Sequence, residues 1–226
     1  MTAVVTGASR GIGRATAVAL AARGEPVVCV GRPSPALEET LAEIRRSGGK
    51  GTAAPCDLGN ASDIETTARR ILDTSGAPSI LVNNAGVVVR KPVEALTDED
   101  WAVQLDVNLR APFQLTRALL PAMRAAGRGR FVHVGSITST LGAKNASAYA
   151  ASKWGLVGFS KSLAEELTDT GLMSVCILPG SVETRMLEGS GFPPRMTAEE
   201  VAKTILFFCL DAPLAHNGAV VEMFGT

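Results

Sequence analysis

The chain has 226 residues, with 22 Lys and Arg balanced by 22 Asp and Glu, and 46% of its residues are hydrophobic. Balanced charge leaves no global field to draw a polyanion or an anionic membrane, which argues against a nucleic-acid partner and a membrane partner. The apolar fraction argues against disorder, and no compositional shift divides the chain, so one domain spanning 1–226 is expected.

In chain order, the apolar run Ala3 to Thr6 reads as a strand and runs directly into TGASRGIG, Thr6 to Gly13, which opens a helix-like stretch at 12–23. A second strand, Val27 to Val30, ends at Gly31 and Arg32 and precedes a helix at 34–47. A third strand leads into Asp57 and Leu58, followed by a helix at 61–74. The fourth, Ser79 to Val82, leads into Asn83-Asn84-Ala85-Gly86 and a long helical stretch at 98–126 that carries Asn108 and Pro112. The fifth, Arg130 to Val134, is followed by Ser136 and a helix at 149–170 that begins with Tyr149 and Lys153. The sixth, Ser174 to Leu178, leads into Pro179-Gly180; a helix at 198–210 and a short strand, Ala219 to Met223, close the chain.

These strands carry little polar alternation, as a parallel sheet covered by helices on both faces requires. The fold class is therefore α/β: a doubly wound parallel sheet of Rossmann type with about seven strands, whose ligands sit at the strands' carboxyl ends. The four cysteines, Cys29, Cys56, Cys176 and Cys209, are scattered with no Cys-x-x-Cys pair, the usage of buried thiols in a reducing compartment. No disulfide and no metal site are expected, and with no basic leader or membrane-length apolar run the chain reads as cytoplasmic.

The first loop is a phosphate cradle by its context. Gly7 permits the turn out of the strand, Gly11 lets backbone approach a pyrophosphate, and Gly13 allows close helix packing while the helix N-terminus offers N–H groups. Ser9, Arg10 and Ile12 complete the loop. The second strand ends without the carboxylate that would repel a 2′-phosphate on an adenosine ribose; Gly31 stands there, with Arg32 and Arg10 able to pair with a phosphate. NADP(H) is thus favoured as cofactor, with NAD(H) as the alternative. Tyr149 is the only tyrosine, and Lys153 lies four residues on, so both project from one helix face, with Ser147 as the expected N-cap. A neighbouring ammonium and a positive nicotinamide ring both favour phenolate, which predicts a phenol below its ordinary pKa. Pro112 has no N–H for the Asn108 carbonyl, so a kink and a backbone role for Asn108 are expected. His133 reads as a hydrogen-bonded core residue, Trp101 and Trp154 as packing or interface residues, and Thr197 with Glu200 as a capping box.

The Gly7, Gly11, Gly13 spacing, the Asn83-Asn84-Ala85-Gly86 turn, Asn108, Ser136 thirteen positions before Tyr149, Lys153 and Pro179-Gly180 together resemble the short-chain dehydrogenase/reductase family. The resemblance implies a catalytic set of Ser136, Tyr149, Lys153 and Asn108, with Lys153 also holding the nicotinamide ribose and a water at the Asn108 carbonyl relaying protons. It further implies that Asp57 and Leu58 frame the adenine, that Asn84, Ala85 and Gly86 line the adenosine ribose side, that Val182 and Thr184 hold the carboxamide, and that the Pro179-Gly180 turn also binds the cofactor. Activity on a small ketone, alcohol or 3-oxoacyl substrate is expected, in a homodimer or homotetramer built through the helices at 98–126 and 149–170. Residues 185–197, rich in Gly, Pro and apolar side chains, read as a substrate lid. A catalytically silent NADP(H)-sensing scaffold acting through a protein partner is the rival reading; an intact Ser136, Tyr149 and Lys153 set speaks against it.

Overall fold

The computed structural model describes residues 2–226. Its elements run β1 Ala3–Thr6, α1 Gly11–Ala22, β2 Val27–Gly31, α2 Pro35–Arg46, β3 Gly51–Pro55, α3 Ala61–Ser75 and β4 Ile80–Asn83. They continue with α4 Asp98–Leu105, α5 Ala111–Ala125, β5 Gly129–Val134, α6 Ser147–Glu166, β6 Leu172–Pro179, α7 Ala198–Leu206 and β7 Val220–Met223. The strands form one seven-stranded sheet in the order β3-β2-β1-β4-β5-β6-β7, with every pairing parallel. The doubly wound sheet read from the apolar runs is the one observed.

Each face of the sheet buries its own core. On one side Ala17 and Leu20 of α1, Leu37 and Leu41 of α2 and Val201 and Ile205 of α7 pack with Val5, Cys29 and Val175. On the other, Ile64 and Ile71 of α3, Leu115 and Leu119 of α5 and Leu163 of α6 pack with Val4, Leu81 and Phe131. Successive strand side chains point to opposite faces, so β1 supplies Val4 to one core and Val5 to the other, and both faces of the sheet are chiefly apolar. Strand β1 pairs with both β2 and β4, and the chain reverses its direction of travel across the sheet there. The carboxyl ends of β1 and β4 therefore flank the crevice where such folds bind ligands.

Two local expectations are corrected. The stretch at 98–126 is not one helix: the hydrogen-bond ladder widens over Asp106–Arg110 into a π turn, with the Ala111 N–H donating to the Asp106 carbonyl. Pro112 cannot donate to the Asn108 carbonyl, and the chain accommodates the missing bond by lengthening the ladder ahead of the proline. At α6 the N-cap is Ala146, with no side-chain cap; Ser147 is the first helical residue. The capping box at α7 is formed as expected, with the Glu200 carboxylate accepting from the Thr197 N–H at 2.7 Å and Thr197 Oγ1 accepting from the Glu200 N–H at 3.2 Å.

Candidate active site

The cradle after β1 is built by close backbone approach. Gly7 has φ +66, and a Cβ added there would lie 2.9 Å from the Ala85 Cα; one added at Gly13 would lie 2.2 Å from the Gly7 carbonyl oxygen. Any side chain at either position would push the loop away from β4 or α1 away from the loop. Helix α1 starts at Gly11 with no side-chain cap and no acidic residue in its first turn, so its N-terminal N–H groups are not taken up by a capping side chain or a carboxylate of that turn. That is the donor set a pyrophosphate requires.

Thr6 and Asn84 tie the two strand ends together. Thr6 Oγ1 accepts from the Asn84 and Ala85 N–H groups, each at 3.0 Å, while Asn84 Nδ2 donates to the Thr6 carbonyl at 2.9 Å and the Gly7 carbonyl at 3.4 Å. Asn84, placed on the ribose side by resemblance, thus spends its side-chain donors on the cradle's own backbone. Arg14, absent from the sequence-derived set, fastens the same loop to α2. Its guanidinium donates to the Ser9 carbonyl at 3.1 Å, the Ala36 carbonyl at 3.2 Å, Thr40 Oγ1 at 3.1 Å and the Glu39 carboxylate at 2.8 Å.

Gly31 ends β2 in a buried position, and a Cβ there would lie 3.3 Å from Ser9 Oγ. Arg10 and Arg32 are both exposed, and neither guanidinium has an ion-pair or hydrogen-bond partner among the described residues. Two unpaired cations beside a strand end that lacks a carboxylate fit a phosphorylated ribose. Asp57 is exposed, with its carboxylate accepting from the Gly59 N–H at 2.9 Å, and Leu58 is buried behind it. After β6, the Gly180 N–H donates to the Met223 carbonyl at 2.8 Å and Val182 pairs with Met196. The Thr184 methyl then lies 3.0 Å from a Cβ placed at Gly11, so this segment closes over the cradle.

The Ser136, Tyr149, Lys153 and Asn108 group assembles between β5, α6 and the π turn. Lys153 is 3% exposed, and its Nζ donates to the Val134 carbonyl at 2.7 Å and lies 5.8 Å from the Tyr149 ring centroid. Burial pulls its ammonium from 10.5 down to about 8, against a smaller opposing effect of the Cys176 thiol. Tyr149 keeps intermediate exposure, yet the protein around its hydroxyl is dense enough that burial pushes the phenol above its ordinary value. Ser136 and the Arg90 guanidinium oppose that rise without reversing it. The expected depression of Tyr149 is therefore overturned for the chain by itself: the ammonium is turned to the Val134 carbonyl, and desolvation exceeds the charge effects.

Ser136 Oγ accepts from the Thr138 N–H at 3.2 Å, capping the short 3-10 turn Ile137–Ser139, which fixes the hydroxyl at the end of β5. Asn108 acts through its side chain. Its Oδ1 accepts from the Val87 N–H at 2.8 Å, and its Nδ2 donates to the Val87 carbonyl and to Ser152 Oγ, each at 2.9 Å. Ser152 Oγ in turn donates to the Tyr149 carbonyl at 2.7 Å, so Asn108 locks the segment after β4 to the first turn of α6. A Cβ at Gly86 would lie 3.3 Å from Asn108 Oδ1 and 3.5 Å from Lys153 Nζ, so the bare glycine keeps the approach to the ammonium open. His133 is the core residue expected, fully buried with Nδ1 3.2 Å from Asn83 Nδ2 and its ring edge-on to Phe159.

Comparison with known proteins agrees with this geometry. Residues 1–191 match the short chain dehydrogenase family model. The chain is 35% identical to the 3-oxoacyl-acyl-carrier-protein reductase of Synechocystis sp., over 95% of this chain and 91% of that protein. It is 33% identical to the reductase of that name, FabG, of Escherichia coli, over 99% and 95%. Among solved structures, one from Beutenbergia cavernae, assigned as an NAD(P)-dependent gluconate 5-dehydrogenase and holding NADP at low occupancy, superposes with a TM-score of 0.91 at 34% identity, covering 98% of this chain and 94% of that one. Levodione reductase superposes with a TM-score of 0.93 at 28% identity, covering 99% and 96%. The parallel sheet, the glycine cradle at its crevice and these matches converge: the chain belongs to the short-chain dehydrogenase family.

Proposed function

We propose that the protein is an NADP(H)-dependent oxidoreductase that interconverts a small ketone or 3-oxoacyl substrate and its alcohol, with Tyr149 as general acid and base. The observation that carries this reading is the convergence of Ser136, Tyr149 and the buried Lys153 on the sheet edge that also holds the uncapped N-terminus of α1. When bound, the nicotinamide supplies the hydride in reduction and accepts it in oxidation.

The protein's own groups do the rest. Ser136 Oγ donates to the carbonyl oxygen as negative charge develops; one such donor is worth a rate factor of ~10²–10³. Tyr149 delivers the proton to the same oxygen, a contribution of ~10²–10⁴. A phenol held above its ordinary value is protonated at neutral pH, which is the form that reduction consumes. Lys153 binds ribose hydroxyls and holds positive charge beside the phenol, and Asn108 orients α6 while its π turn leads away from the site. Arg10 and Arg32 take the 2′-phosphate in preference to a bare hydroxyl, and residues 185–197 form the lid. The 3-oxoacyl-acyl-carrier-protein reductase relatives and the NADP of the solved neighbour support the substrate class and the cofactor.

The exposed Trp101 and Val103 on α4, Phe113 on α5 and Trp154 on α6 support a homodimer or homotetramer assembled through these helices. The four buried, unbonded cysteines suit a reducing, cytoplasmic setting. Incubation of NADPH with a panel of free ketones and 3-oxoacyl thioesters, with products identified, tests the reading. Tight NADPH binding without turnover of any member would refute it in favour of a sensor.

A further inference from the structure

Arg90 lies between β4 and α4 and has no part in the roles above. The backbone that carries it is held rigidly. Asn108 bonds both polar groups of Val87, the Val89 N–H donates to Gln104 Oε1 at 3.0 Å, and the Lys91 N–H donates to the Asn145 carbonyl at 3.1 Å. Lys91 Nζ also pairs with Asp100 at 2.5 Å. From this platform the Arg90 guanidinium reaches across the crevice, with Nη2 donating to the Met186 carbonyl at 2.9 Å and Nη1 to the Glu188 carbonyl at 3.5 Å.

Those two bonds matter because the lid has few others. Its neck is closed where the Arg195 and Met196 N–H groups donate to the Ser181 carbonyl and the Glu183 N–H donates to the Met196 carbonyl. Between the two sides of that neck, and among the described residues, residues 185–192 bond only to one another and to Thr184, apart from Arg90 and a 4.0 Å contact of the Tyr149 hydroxyl with Met186 Sδ. The Met186 methyl also lies 3.7 Å from a Cβ placed at Gly86. The carbonyls that Arg90 grips therefore belong to the turn whose thioether roofs the phenol.

We propose that Arg90 is a positioning residue: its guanidinium fork latches the 185–188 turn, seats the Met186 thioether against Tyr149, and thereby controls access to the phenol. The proposal rests on the reading of Tyr149 as acid and base. Arg90 has a second effect through its charge. The groups facing the phenol are Lys153 of its own helix, Ser136 at the end of β5 and Arg90 from the β4–α4 segment, and Arg90 is the cation that lowers it. No carboxylate pairs with Arg90 among the described residues, so only solvent screens its charge at the phenol.

Arg90→Met and Arg90→Lys in the full chain separate fork from charge. Arg90 is exposed, so both variants should keep the wild-type melting temperature. The first readout is trypsin cleavage between Arg185 and Met186, followed by mass. The second is the absorbance titration of Tyr149, the only tyrosine in the chain. Arg90→Met should speed cleavage on the order of tenfold, the worth of losing both bonds from an exposed turn, and should move the Tyr149 midpoint upward. Arg90→Lys keeps the charge but cannot span two carbonyls, so it should speed cleavage and leave the midpoint in place. Wild-type cleavage in Arg90→Met, or an unmoved midpoint in that variant, overturns the proposal. Neither readout requires turnover, so the latch is decided separately from the oxidoreductase reading.

Discussion

Lys153→Met should make the protein's stability less dependent on pH. In the folded chain burial holds the ammonium at about 8, against 10.5 for an ordinary lysine. Each pKa unit corresponds to ~1.4 kcal/mol, so keeping Lys153 charged in the fold costs about 3 kcal/mol at neutral pH. Between about 8 and 10.5 the unfolded chain carries a proton that the folded chain has lost, so stability rises with pH across that window. Below about 8 both forms are protonated and the whole penalty is present. Methionine removes the penalty but leaves the Val134 carbonyl without its 2.7 Å donor, a loss of ~1–3 kcal/mol. At neutral pH the two effects nearly offset, so the diagnostic quantity is the difference between the proteins as pH changes. Cys29, raised to about 12 by burial, makes both proteins lose stability as pH climbs above 9, and the subtraction cancels it; Cys176, also raised to about 12, is held down slightly by the Lys153 charge, so its loss in Lys153→Met adds to the difference in the same direction. Urea unfolding of both proteins from ~pH 7 to 10 should shift the difference towards wild type by roughly 2–3 kcal/mol. A difference that stays constant over that range would refute a buried, destabilised ammonium beside Tyr149.

The cradle and the phosphate end make separate predictions. Gly13→Ala places a methyl 2.2 Å from the Gly7 carbonyl and 2.4 Å from Asn84 Nδ2; it should cost ~1–3 kcal/mol in thermal unfolding and weaken NADPH binding at least ~10-fold by fluorescence titration. Wild-type NADPH affinity in that variant would contradict the close approach. Replacing both Arg10 and Arg32 by Ser should weaken NADPH ~10- to 100-fold by calorimetry and leave NADH unchanged, since only the phosphorylated ribose meets them. Equal losses for both dinucleotides would remove the basis for an NADP(H) preference.

What could be read from the sequence was local. Gly7, Gly11 and Gly13 act through their spacing on one loop, and Tyr149 and Lys153 share a face because helical geometry puts them there. The strands were legible because burial on both faces leaves no polar alternation to confuse them. Contacts between distant segments were not legible. Thr6 and Asn84 are 78 residues apart, Arg14 reaches Ala36 and Glu39 on a separate helix, and Arg90 meets Met186 across 96 residues. Each of these residue types is common on surfaces, and its role exists only once the sheet has brought its partner close. Pro112 shows the boundary within one element. The missing N–H is certain from the sequence, but whether the helix kinks or widens depends on the Ala111 N–H finding the Asp106 carbonyl. The direction of the Tyr149 shift in the chain by itself was not legible for a related reason: it is a contest between burial and charge, and the sequence specifies the charges but not the burial.

The most direct test of the central claim is a single-turnover experiment with NADPH deuterated at the transferable position and a 3-oxoacyl thioester, comparing wild type with Tyr149→Phe. The account predicts that wild type places deuterium on the carbonyl carbon. Tyr149→Phe should bind NADPH with unchanged affinity and lose ~10²–10⁴ in rate. Deuterium transfer by Tyr149→Phe at the wild-type rate, or tight NADPH binding by wild type with no transfer to any carbonyl compound, would contradict it.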